Sequence, residues 1–218
     1  MKRKTILVSI ITIILIMAFS IFKKKSKEEK FWDWFGKNQK RYYEQVENLE
    51  IREDLFNELS TELKKVHSSL VFEFSPIHEN KVREFTISAE GVKEVFPIVL
   101  KLIDNAPKID KWQFNAFRQR IPGNGIKLNF GNFTIGYDDI FFRYTEDNGK
   151  LGIELNIRDF EKNNGHIQNA VYILLDSLLG EYDVTMGIGW IDWVKLEEEN
   201  IPKLNPLINL RTLIDQRK

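Results

Sequence analysis

Four charged side chains stand at spacings that could do chemistry. Arg118 and Arg120 lie two apart at the end of a stretch from Trp112 that alternates apolar and polar residues, as a strand does. A period of two gives both the same facing. Two adjacent guanidiniums call for something anionic between them, which makes the pair a candidate for an anion, carboxylate or partner contact. The competing reading pairs them inside the protein with Asp138, Asp139, Glu181 or Asp183. Glu181 and Asp183, in Gly180-Glu181-Tyr182-Asp183, form the second pair, between a predicted helix and a predicted strand. Paired carboxylates can share general acid and base work. At such a turn they also serve as solvated surface charges.

Other chemistries lack their residues. The chain has no cysteine, so neither a thiol nucleophile nor a disulfide is available. Its histidines, His67, His78 and His166, fall in no HExxH or HxH arrangement. No metal site is expected. Gly123-Asn124-Gly125-Ile126-Lys127 lacks the spacing of a phosphate loop and leads into a strand pattern, so it reads as a turn and no cofactor is expected. There is no GxSxG elbow, and no residue is assigned as catalytic. Residues 1–30 hold 8 of the 32 basic and 2 of the 32 acidic residues, which leaves 24 against 30 in 31–218, a net of −6. Such an acidic domain argues against nucleic acid as a partner.

The N-terminus carries a different signal. Thr5 to Phe22 is uncharged and overwhelmingly apolar, between Lys2-Arg3-Lys4 and Lys23-Lys24-Lys25. As a helix it would rise roughly 27 Å, near the thickness of a bilayer's hydrocarbon core. The expectation is a single transmembrane helix over about 5–22, within an anchor and basic linker of residues 1–30. A single globular domain, 31–218, follows. The alternative is a cleaved signal peptide with Ala18-Phe19-Ser20 as its site, which the lysines just beyond disfavour. Lys and Arg counts near the run place the domain on the cytoplasmic side of the cell membrane.

The elements that must position the charged pairs follow from periodicity. Phe31, Trp34, Phe35, Tyr42, Val46 and Leu49 form an aromatic helical stripe, and Leu55, Leu59, Leu63 and Val66 a second one. Strands are expected over 70–75 and 83–89. A helix with a delayed start or kink at Pro97 comes next, and then the strand from Trp112. Asn148-Gly149 marks a hairpin between 140–145 and 151–158. A helix buries Ile167, Ala170, Val171, Leu174 and Leu178 and ends at Gly180. Val184–Val194 reads as a long strand in which Trp190 and Trp193 pack into the core. No internal repeat is visible. This order predicts an α+β fold: an antiparallel sheet with helices packed mainly on one face, preceded by the transmembrane helix.

Three elements, Phe31-Trp32-Asp33-Trp34-Phe35, Arg83-Glu84-Phe85-Thr86-Ile87-Ser88-Ala89, and Leu174-Leu175-Asp176 with Leu179-Gly180-Glu181-Tyr182-Asp183, resemble a family of uncharacterised bacterial α+β proteins over about residues 31–196. The resemblance implies a soluble cytoplasmic domain beginning near the FWxWF element, to which this chain adds an anchor. It brings no activity, ligand or site residue. Taken together, the sequence predicts a membrane-tethered binding or interaction domain of immunity or regulatory type, with a protein partner and without catalysis. The alternative is an anchored hydrolase using Glu181, Asp183, Arg118 and Arg120.

Overall fold

The computed structural model describes residues 24–130, 133–161 and 165–217. Helix α1, Lys27–Gln45, begins where Ser26 and Glu29 cap each other: Ser26 Oγ accepts the Glu29 N–H and the Glu29 carboxylate accepts the Ser26 N–H. It buries Phe31, Trp32, Phe35 and Tyr42 against α2, Arg52–Lys64, and against the sheet beneath. That sheet joins β1, Val71–Phe74, antiparallel to β2, Arg83–Ser88; β2 in turn runs parallel to β3, Trp112–Ala116. Helix α3, Phe96–Asp104, makes the crossover between β2 and β3. Pro97 sits in its first turn, where the missing N–H costs no hydrogen bond, so the start is delayed and no kink arises.

A short hairpin follows, β4, Lys127–Phe130, against β5, Phe133–Gly136. Next come β6, Ile140–Asp147, and β7, Lys150–Ile157, whose turn places Asn148 and Gly149 at positive φ as Asn-Gly requires. Helix α4, Gly165–Leu179, crosses to β8, Ile188–Lys195, which pairs parallel to β7. Between them lies α5, Glu181–Gly187. The two-residue β9, Asn205–Pro206, completes the order β8-β7-β6-β9, and α6, Asn209–Asp215, ends the described fold.

The two large sheets share a plan. Each contains a hairpin, a helical crossover, and a strand laid parallel to the second arm of the hairpin, and the second sheet adds the short β9 beside β6. Each has its own apolar cluster: one around Phe35, Leu59, Phe85 and Val99, the other around Phe142, Ile153, Leu155 and Leu174. Nothing in the sequence shows this repetition, because matching positions need only be apolar.

Four expectations are corrected. The expected antiparallel sheet is replaced by two mixed sheets and a separate hairpin, since each helical crossover returns its strand parallel to its neighbour. No described helix is long and apolar enough to cross a membrane, which corrects the transmembrane expectation; the run Thr5–Phe22 itself lies outside the described residues. The predicted strand from Val184 starts only at Ile188, the preceding residues being α5. In the aromatic stripe, Trp32 and not Trp34 is the fully buried tryptophan, and Leu49 lies out in solvent.

Candidate functional site

The aromatic face of the first sheet is covered by helices, so its other face must face elsewhere. Register puts Glu73, Thr86 and Asn115 in one row of that second face and Glu84 with Gln113 in the next. This polar face looks toward the outer side of α4. The spacing that buries Ala170, Val171, Leu174 and Leu178 of α4 turns Tyr172, Ile173 and Asp176 outward. Between them runs an open groove of about 1470 Å³, bordered also by residues 118–122 and by the first residues of β8.

Arg118 stands at one end of the groove. Its Nε donates to Glu73 at 3.3 Å, while Nη1 lies 3.5 Å from Asp176 and Nη2 3.7 Å from Glu90. Burial opposes the guanidinium charge, but the Glu73, Asp176 and Glu181 carboxylates outweigh it and raise the Arg118 pKa. Three carboxylates sharing one cation leave an excess of negative charge. Asp176 registers that excess: burial first, then the negative charges of Glu181 and Glu73, push its pKa up to about 6, against the pull of Arg118.

This shift has a thermodynamic sign. The folded-state pKa of Asp176 lies above its ordinary value of 3.8, so between these values the folded chain binds more protons than the unfolded one. Stability from this group is fully present below about pH 3.8 and is lost as pH rises through about 6. Asp176→Asn should therefore gain about 2–3 kcal/mol on the parent protein between pH 4 and pH 8. Urea unfolding of both proteins at the two pH values measures it. A difference that does not change with pH would contradict the assignment.

The second carboxylate pair seen in the sequence divides. Glu181 is 1% exposed. Its Oε1 accepts the N–H groups of Ala89 and Gly91 at 3.2 and 3.1 Å, and its Oε2 accepts that of Arg118 at 3.2 Å. It ties the loop after β2 and the segment after β3 to α5. Gly180, at φ +85°, lets the chain turn from α4 into α5 here, and the Glu181 N–H returns a bond to the Arg118 carbonyl at 3.0 Å. Asp183 accepts from Arg120 at 2.8 Å. Arg120 also donates to Asp215 at 2.8 Å and to the Leu179 carbonyl at 2.6 Å.

Arg118 and Arg120 thus serve separate networks, although the alternation gave them one facing. β3 ends at Ala116, and Phe117 takes φ +66°, which interrupts the period of two. Of the four residues singled out by sequence, Arg118 and Arg120 border the groove, while Glu181 and Asp183 hold the frame behind it.

The other wall of the groove is apolar. Ile121, Tyr172, Ile173 and Trp190 are large hydrophobic side chains between 40% and 48% exposed, and all four border it. Trp190 lies over Gly152, its partner across the β7–β8 ladder, where any added Cβ would overlap the indole. It is held in place by the sheet yet remains open to the groove. Trp193, on the opposite face, packs against the second core as expected, whereas Trp190, expected there too, does not. Glu73, Asp176, Tyr172 and Trp190 were not among the sequence candidates. The signal present for α4 was that Tyr172 and Asp176 fall off its inward stripe.

Among the described residues, no group of three or more His, Asp or Glu side chains could hold a metal ion. Comparisons with family models, with curated proteins and with solved structures find no match.

Proposed function

We propose that this protein is a noncatalytic binding domain that seats a segment of a partner protein in the groove between the first sheet and α4. One observation carries the reading: exposed apolar side chains from the segment after β3, from α4 and from β8 border one groove, which follows the edge of β8. Apolar side chains gathered this way favour a ligand that covers them. The noncatalytic part rests on occupancy. The Glu181 carboxylate already accepts three backbone N–H groups, and Asp183 is paired with Arg120. Asp176 is a supporting sign, because a carboxylate kept where its ionised form weakens the fold suits a role outside folding.

Panning random nine-residue peptides against the immobilised full chain tests this. A counter-selection removes peptides that bind the Tyr172→Ala/Trp190→Ala variant equally well. The expected result is a set of peptides that bind the parent protein and lose most of their affinity for the variant. Failure to recover any groove-dependent peptide would overturn the reading.

A further inference from the structure

Resting on that reading, we propose that the occupant of the groove is an extended, basic protein segment in which Lys or Arg alternates with apolar residues. Charge complementarity is the first argument. The groove presents the carboxylates of Glu73, Glu84, Glu90 and Asp176. Its guanidiniums are already committed: Arg118 to Glu73, Glu90 and Asp176, and Arg120 to Asp183 and Asp215. Glu84 accepts from Asn115 at 2.6 Å and lies 3.0 Å from the His78 ring, so no fixed cation stands over it. A cationic side chain entering here meets uncompensated negative charge in a partly desolvated site, whereas an acidic or phosphorylated segment meets repulsion.

The apolar wall adds the second requirement. Trp190 on one side of the β8 edge, and Tyr172, packed against Trp193 on the other, present aromatic surface to the aliphatic stems of Lys and Arg and to the cations themselves. Ile121 and Ile173 offer aliphatic surface for the intervening residues. The third argument concerns backbone. β8 stands at the end of the order β8-β7-β6-β9, and Ile188–Ile191 of this edge strand border the groove. An extended segment running along it can add main-chain hydrogen bonds to the β8 edge while alternate side chains turn to the acidic and apolar sides.

The test uses two fluorescein-labelled octapeptides, one alternating Lys and Leu and one alternating Glu and Leu, titrated against the full chain by anisotropy at 0.15 M salt. The Lys-Leu probe should bind at least about tenfold tighter than the Glu-Leu probe. Glu73→Gln/Asp176→Asn should weaken the Lys-Leu probe about tenfold, as two neutralised carboxylates would. Trp190→Ala should weaken both probes. Glu73 is exposed and Asp176→Asn removes a destabilising charge, so the neutralised variant is expected to fold; circular dichroism checks it. Equal binding of both probes, or a Lys-Leu affinity unchanged in the neutralised variant, would overturn the assignment. Groove-dependent peptides from the panning that are acidic or uncharged would overturn the basic partner and leave the binding domain standing. Loss of all groove-dependent peptides would remove both.

Discussion

Glu181→Ala should cost about 3–5 kcal/mol of stability, because it strips the acceptor from three N–H groups at a buried junction. The affected donors belong to Ala89, Gly91 and Arg118, on two separate segments that flank the groove. Glu181→Gln keeps one carbonyl oxygen for Ala89 and Gly91 but sets an amide NH2 against the Arg118 N–H, so about 1–3 kcal/mol is expected. Chemical unfolding of the three proteins measures both. A loss below about 0.5 kcal/mol for the alanine variant, the range of ordinary surface substitutions, would mean that this carboxylate does not hold the junction.

Trp32→Ala should be of similar size, about 3–5 kcal/mol, the usual range for a large aromatic removed from a core. Trp32 is 4% exposed, touches Phe31, Phe35, Phe85 and Phe114, and donates its indole N–H to the Leu102 carbonyl at 2.7 Å. The hydrogen bond links α1 to α3, so the substitution loses packing together with the shorter of two hydrogen bonds to that carbonyl, which the Asn105 N–H also reaches at 3.3 Å. Trp34 packs at the margin of the same cluster and is only half-buried, so Trp34→Ala should cost clearly less. The contrast between the two is the check: equal losses, or a greater loss at Trp34, would contradict the placement of the α1 stripe.

That contrast shows where sequence reading reached its limit. The stripe Phe31, Phe35 and Tyr42 was legible because helical period and burial agree there. Trp32 and Trp34 both lie near the edge of a helical face, and only the position of α3, which supplies the Leu102 carbonyl, decides between them. The Asn148-Gly149 hairpin was equally legible, because two consecutive positive φ angles have a sequence signature. The helix over Glu181–Gly187 was not. Val184 and Thr185 carry the β-branching of a strand, and the helix is set by tertiary bonds from Glu181 to residues about ninety positions earlier.

The groove is the same lesson on a larger scale. Arg118 was visible as an unusual charge. Its partners Glu73, Glu90 and Asp176 come from β1, from the loop after β2 and from α4, and no local pattern joins them. Two mixed sheets, each invisible as a repeat, had to be placed before the polar face of one could oppose the outer face of the other's helix.

The central claim, that this groove is where the protein binds, is tested most directly by amide chemical-shift mapping. The full chain is observed with and without a groove-selected peptide. The account predicts shifts concentrated at Thr86, Arg118, Ile173, Asp176 and Gly189–Ile191. Shifts confined to α2 and the outer side of β6, with the groove amides unchanged, would contradict it.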